Sequence, residues 1–292
     1  MIRLTRVRSE AAIPSKYTEP QRRRWLTELR QARSARKGKL VEDYWHDAKP
    51  QLSREARGKC AYCECSALAV SFGDVEHFRP KSTYWWLAYC WENWLFSCQI
   101  CNELYKGDAF PIGGRRMPTP RGRGGELAPD PMIEKSWTAF RRCSASERAL
   151  LVNPYEEDPE SLFGWRVDEA LGEVELVATD DLHWSGLPRL AASRGVTSAC
   201  DRVAAVIALL GLNREELRRR RFRVYQELAL LLKVAQRVEG KLGEEAKAEV
   251  ARMSADDAEF AGMVRQFVRA AASLSPRRRE LHPIEHRQRR TG

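Results

Sequence analysis

From about residue 197 onward, apolar residues recur at the three- and four-residue steps of amphipathic helices. Val203, Val206, Ile207 and Leu210 form one stripe that stops at Gly211, a residue suited to end a helix. Leu217, Val224, Leu228, Leu231, Ala235 and Val238 form the core-facing stripe of a long second helix, with Asn213 as its expected cap. Its first turns carry Arg214, Arg218, Arg219, Arg220, Arg221 and Arg223, which read as an exposed basic flank. A further helix is expected over 244–271. Upstream, period-two segments over 162–167 and 173–178 flank Gly172 and predict a β-hairpin, while Asn153-Pro154 and its acidic neighbours predict a turn. Near the start, Thr18, Pro20 and Gln21 have the character of a capped helix N-terminus. That helix is expected to run to Lys39, with Trp25, Leu26 and Leu29 on one side and Arg22, Arg23, Arg24, Arg30, Arg33, Arg36, Lys37 and Lys39 around it. Shorter helical stretches are expected over 40–46 and 53–57; His46 reads as a structural or surface residue. Residues 1–17 carry no clear period and are expected to be irregular.

Two stretches break the pattern. Residues 112–131 are rich in Gly, Pro and Arg and read as a flexible basic loop. The tail beyond Ser275 concentrates Arg277, Arg278, Arg279, Arg287, Arg289 and Arg290 and reads as disordered. The 292 residues carry a net charge of +10 with 43% hydrophobic and 31% charged residues, a soluble globular composition. That excess of base suits a polyanion such as nucleic acid, and equally suits ordinary solubility. The first residues lack an apolar secretory core, and the longest apolar run, over 203–212, is too short for a hydrocarbon layer of roughly 30 Å. A cytoplasmic location with reduced thiols is therefore expected, and no membrane partner.

In a reducing compartment, paired cysteines point to metal. Four of the eight cysteines form Cys60-x-x-Cys63 and Cys98-x-x-Cys101, the spacing of a tetrahedral four-cysteine zinc site that folds a module and leaves no open position for chemistry. Cys65 competes with Cys63; the two-residue spacing favours Cys63. Cys65, Cys90, Cys143 and Cys200 read as small buried hydrophobes. The spacer between the pairs holds Asp74-Val75-Glu76-His77-Phe78. Neighbours on a strand face opposite ways, so Glu76 and His77 share a site only at a bend or strand end, and Pro80 is placed to supply one. Asn102 directly follows the last cysteine, so a metal there would pin its backbone. The carboxylate of Glu76 and the amide of Asn102 are hard donors that suit Mg²⁺ or Mn²⁺, and a neutral His77 beside that cation can take a proton from water. Arg79, Lys81 and Lys106 are expected to hold a phosphodiester backbone. The Trp-rich stretch 84–91 reads either as a packed helix or as a wall of the site.

The pattern C-x-x-C, D-V-E-H-F-R-P-K, W-E-N, S-C-x-x-C-N-x-x-x-K-G resembles the HNH (ββα-metal) endonucleases. The resemblance implies a zinc-stapled hairpin and helix around one divalent cation, within an α+β, mostly α chain. It implies His77 as general base, Asn93 as the residue that orders the loop and helps position it, and Glu76 and Asn102 as cation ligands. Asn102 stands where many members have His. The implied activity is hydrolysis of nucleic-acid phosphodiesters to 5′-phosphate and 3′-hydroxyl ends. More loosely, Leu151-Val-Asn153-Pro154, the hairpin and Leu210-Gly-Leu-Asn213-Arg resemble the HNH proteins of retron and Septu anti-phage systems; in Septu the HNH protein partners an ATPase of SMC/ABC type.

The expected organisation is a basic helical region over 1–57, the zinc-stapled nuclease module over 58–112, a loop and hairpin region over 113–195, a helical region over 196–274 and a tail over 275–292. DNA is the expected substrate, and the sequence does not distinguish it from RNA. The competing reading is a non-catalytic, zinc-stapled nucleic-acid-binding or adaptor subunit of an ATPase complex. A third is a nuclease subunit silent until its partner activates it, with the helices over 197–271 as docking surface.

Overall fold

The computed structural model describes residues 1–7, 17, 19–34, 44–68, 71–119, 144–179 and 198–274. Helix α1 (Glu19–Ser34) is followed by a 3-10 turn (Tyr44–Ala48) that runs into α2 (Lys49–Glu55). Strands β1 (Asp74–His77) and β2 (Trp94–Ser97) then pair antiparallel, joined through two 3-10 turns, Trp85–Leu87 and Trp91–Asn93. A π-helical turn, Ile100–Lys106, follows β2 at once. A second hairpin, β3 (Phe163–Asp168) and β4 (Glu173–Ala178), precedes four helices: α3 (Ala199–Leu209), α4 (Glu215–Arg237), α5 (Lys241–Ser254) and α6 (Ala261–Leu274). The chain is thus mostly helical α+β with two small sheets.

One continuous hydrophobic cluster runs through nearly all of these elements, from Met1 and Leu4 through Trp25, Leu52, Trp94 and Trp165 to Val264. The first residues are irregular, as expected, yet they are anchored. Leu4 N–H donates to Pro154 O at 2.9 Å. Buried Arg6 pairs with Glu55 at 2.9 Å, donates to Trp94 O at 2.6 Å and lies 3.6 Å over the Tyr155 ring. Tyr155 in turn donates to Glu55 at 2.8 Å. A second buried arginine, Arg202 on α3, grips Glu157 with two nitrogens at 2.7 and 2.8 Å and donates to Leu150 O and Leu151 O. Such bidentate, charge-assisted contacts fix geometry as well as adding energy. They hold the turn around Asn153 against the N-terminal residues on one side and the helices on the other.

The second hairpin forms where the period-two pattern places it, with Gly172 at φ 68° in its turn. Several other expectations are corrected. Asn213 does not cap the long helix: Arg214 holds the N-cap position, and the Asn213 amide clips β4 instead, accepting from Leu176 N–H and donating to Leu176 O, each at 2.8 Å. The cap of α3 is a reciprocal pair the sequence reading did not single out, Ser198 with Asp201. The helix expected over 244–271 is two helices, parted by a turn over 255–260 that opens with extended Ala255 and closes with Phe260 at a left-handed φ of 53°. The basic flank of α4 is not uniformly exposed, because Arg221 is buried and bonds Asn213, and Arg218 pairs with Glu173 at 2.7 Å. On α1, Arg22 is likewise buried and donates to Tyr17 O. Cys200 is exposed rather than buried, and His46 lies at the surface. Thr18, Cys143, the stretch 35–43, most of the basic loop and the tail from 275 fall outside the described residues.

The Asn213 clip is testable. Asn213→Leu removes two hydrogen bonds to a strand whose backbone groups then lack that partner, a cost of about 1–3 kcal/mol. A urea midpoint that falls with an unchanged m-value is the expected result.

Candidate functional site

Cys60 and Cys63 form a knuckle just after α2, while Cys98 follows β2 and Cys101 sits in the π-helical turn. Their four sulfurs lie within 4.8 Å of one another and can hold a metal ion such as zinc. Cys65 is half-buried nearby and is not one of the four, in line with the choice of Cys63 over Cys65. The knuckle is tied to the hairpin by Ala61 N–H donating to Phe96 O at 2.9 Å. Burial pushes the Cys60 thiol well up, whereas hydrogen bonding from Cys101 and Cys60 holds Cys63 well down. Sulfurs crowded this closely repel one another when charged, so their proton affinities spread apart. Arg214 Nη1 donates to Cys101 Sγ at 3.7 Å, so α4 begins against the metal-site sulfurs.

The hairpin hangs from this cluster. Gly73 enters β1 at φ 62°, and a Cβ there would come within 2.2 Å of the Phe96 ring, so glycine alone fits. The strand ends at His77 and the chain bends at Phe78–Arg79. Asn93 is fully buried in that bend: its Oδ1 accepts from Arg79 N–H at 2.8 Å, and its Nδ2 donates to Arg79 O and Leu87 O. Asn93 thereby fixes the backbone that follows His77.

His77 is buried, with Trp45 edge-on at 4.9 Å between ring centroids. Its Nε2 lies 2.9 Å from Ala88 O, and Trp94 Nε1 lies 3.1 Å from the same carbonyl and 3.2 Å from His77 Nε2. A nitrogen and a carbonyl oxygen at that distance attract only if the nitrogen carries hydrogen. The shorter Nε2–Ala88 O contact favours the proton on Nε2, with the Trp94 N–H then given to Ala88 O rather than to Nε2, and Nδ1 as the basic nitrogen. Burial, with Lys81 adding to it, lowers the His77 pKa to about 3, so the ring is neutral at ordinary pH. The stretch 84–91 packs behind His77 and lines neither pocket of the groove described below: Trp86, Leu87, Tyr89 and Trp91 are buried, and its Ala88 carbonyl meets His77 Nε2.

Glu76 is buried beside Lys106, whose Nζ lies 2.5 Å from Oε1; Tyr62 donates to the same oxygen at 3.2 Å. Burial outweighs the lysine and raises the Glu76 pKa to about 7. Lys106 also donates to His77 O at 3.0 Å and Gly107 O at 3.3 Å. Asn102 follows Cys101 on the π-helical turn, and its Nδ2 points at Asp74 Oδ2 at 3.5 Å. Glu76, His77, Lys81, Asn102, Glu103 and Asp108 line a pocket of about 200 Å³. An adjoining pocket of similar size shares Lys81, Asn102 and Glu103 and adds His46, Lys49 and Asp74. Glu76, His77, Lys81 and Asn102 are thus brought to one groove. Arg79 and Lys106 are not available to a polyanion there. Arg79 is buried and paired with the buried Glu147 at 2.7 Å, and Lys106 is enclosed by Glu76 and two carbonyls. The sequence reading missed Asp74, Glu103, His46 and Lys49. Asp74 was detectable, since it sits two residues from Glu76 on the same strand face; His46 arrives from a distant turn and carries no local signal. The groove offers oxygen donors from Asp74, Asn102 and Glu103 that fit a hard divalent cation, and beside them Glu76, which is paired with Lys106.

No protein-family model matches the chain. It is 33% identical over 123 residues to the Septu protein PtuB of Bacillus mycoides (strain KBAB4), covering 37% of this chain and 35% of that protein. It is 46% identical over 52 residues to the Septu protein PtuB of Bacillus thuringiensis, covering 18% and 20% of the two chains. The match thus spans about a third or less of each relative's length, and it supports kinship with the Septu proteins.

Two measurements follow from this geometry. Elemental analysis of purified protein is expected to find a metal ion such as zinc that Cys60→Ser depletes, with a lowered melting temperature. The His77 ring nitrogens, followed by ¹⁵N NMR, are expected to stay neutral, protonated at Nε2, from pH 8 to about 5; titration near 6.5 would contradict the burial argument. Because its folded pKa lies below the ordinary 6.5, protonation favours the unfolded chain. The His77 contribution to stability is therefore lost as pH falls from about 6.5 toward 3.

Proposed function

We propose that this groove is the active site of an HNH-type, metal-dependent endonuclease that hydrolyses DNA phosphodiester bonds, and that the protein is the nuclease effector of a Septu-like anti-phage system. The observation that carries the reading is His77: a neutral imidazole with its Nε2 proton committed to Ala88 O, lining the same pocket as Asn102 and the carboxylates of Glu76, Glu103 and Asp108. The hairpin, the helical turn that follows it and the four-cysteine cluster between them support the HNH assignment, and the likeness to PtuB proteins supports the defence role. An ATPase partner of SMC/ABC type and a cytoplasmic setting belong to the same proposal.

In this reading His77 accepts the proton of an attacking water at Nδ1, while the Ala88 carbonyl stabilises the imidazolium that forms. Burial makes His77 a weak base at rest. A phosphodiester brings negative charge into the groove, which favours the charged ring at the moment of transfer. Asn93 and Lys106 hold the backbone on either side of the imidazole, and Lys81 faces the phosphate. A Mg²⁺ or Mn²⁺ ion held by Asn102 and a neighbouring carboxylate would supply charge stabilisation for the phosphate and leaving oxygen.

The test is nicking of supercoiled plasmid with Mg²⁺, Mn²⁺ or chelator, by the chain alone and with a co-purified ATPase. His77→Ala is expected to lower the rate by at least about 100-fold, with zinc content and circular dichroism unchanged. Full activity in that variant overturns the reading. Salt-dependent DNA binding without any cation-dependent cutting, in either format, favours the adaptor alternative.

A further inference from the structure

The carboxylates of the groove are not equivalent. Glu76, the acid adjacent to His77, is 2% exposed and already has its counter-charge, Lys106 Nζ, at 2.5 Å from Oε1. Lys106 is not a mobile surface lysine that can swing aside. It is itself 2% exposed and spans the His77 and Gly107 carbonyls, joining the end of β1 to the end of the π-helical turn. A divalent cation on Glu76 would sit within a few ångströms of that ammonium, in a site where water screens little. Displacing Lys106 would strand its charge and release both carbonyls.

Asp74 is not locked to an ammonium in this way: Lys49 and Lys81 line its pocket, but neither forms an ion pair with it. It lies two residues earlier on the same strand face, is half-buried, and lines the groove. Its partner across the groove is the Asn102 side chain, at 3.5 Å. An amide presents oxygen in place of nitrogen by a half-turn of its terminal bond, a rotation that keeps its shape. Two oxygens on adjacent vertices of an octahedral Mg²⁺ shell, each roughly 2.0–2.1 Å from the ion, stand about 3.0 Å apart. The Asp74–Asn102 separation is within about half an ångström of that octahedral edge. The two residues come from elements that the four-cysteine cluster holds together, and Glu103 and the open groove leave room for the waters that Mg²⁺ keeps.

We propose that Asp74, together with Asn102, binds the divalent cation, and that Glu76 is a positioning residue that fixes the His77 backbone through Lys106. This assignment rests on the nuclease reading and names a ligand of that same site.

The experiment is Mn²⁺ binding to the zinc-loaded full chain, followed by the electron paramagnetic resonance of free Mn²⁺, alongside plasmid cleavage kinetics. Asp74→Asn is expected to weaken Mn²⁺ binding at least tenfold. Glu76→Gln is expected to change it less than threefold while lowering kcat with KM unchanged. If Glu76→Gln fails to fold because Lys106 is left buried alone, the double variant Glu76→Gln/Lys106→Met removes both charges and is expected to bind Mn²⁺ as wild type does. Mn²⁺ binding retained in Asp74→Asn, or lost in the double variant, overturns the assignment and leaves the nuclease reading intact. A wild-type chain that binds no Mn²⁺ at millimolar concentration overturns both.

Discussion

Four sulfurs within 4.8 Å of one another, three of them on buried cysteines, cannot all be thiolates without a cation, and as thiols they pack poorly around shared protons. This crowding constrains the rest of the structure. The two knuckles come from opposite ends of the segment they enclose. Closing them brings the start of the segment, just after α2, against the end of β2 and the π-helical turn. Once closed, they set the position of Asn102 by chain continuity and the position of β2 through the Ala61 to Phe96 hydrogen bond. β1 then takes its register on β2, Asp74 against Ser97 and His77 against Trp94, which brings the strand end against the packed stretch 84–91. The groove is thus positioned by the four-cysteine cluster.

The parts of this arrangement that depend on local spacing were legible in the sequence. Two C-x-x-C pairs specify a ligand set, and a glycine between two period-two segments specifies the second hairpin. A bend after His77 was needed for Glu76 and His77 to share a pocket, and β1 does end there. What was illegible depends on partners distant in sequence. Arg79 and Lys106 look like phosphate contacts because exposure is the usual fate of a basic residue. Only the folded chain shows that Glu147, 68 residues away, holds Arg79, and that Glu76 and two carbonyls hold Lys106. Asn213 has the composition of a cap but serves as a strand clip, because β4 passes alongside and offers two backbone groups at once. The periodicity over 244–271 continues through the break at Phe260, so the reversal between α5 and α6 left no mark in the hydrophobic pattern.

The number of buried ion pairs in so basic a chain has a physical reading. Arg6, Arg79 and Arg202 each join segments far apart in sequence, and each has a carboxylate at 2.7–2.9 Å. A buried pair often contributes little net stability relative to an apolar replacement, but losing one partner is costly. Such pairs therefore penalise misdocked arrangements more than they reward the correct one. Here they select how the N-terminal residues, the turn at Asn153 and the helices assemble around the hairpin.

Arg214 connects two of these themes. It is the N-cap residue of the longest helix and also donates to Cys101 Sγ. A guanidinium keeps its charge at any ordinary pH, so it is drawn far more strongly to a metal-bound thiolate than to a protonated thiol. The entry of α4 is therefore wired electrically to the ligand state of the cluster. A metal held by the four sulfurs would thus bear on the entry of a 23-residue helix that contributes no ligand to it.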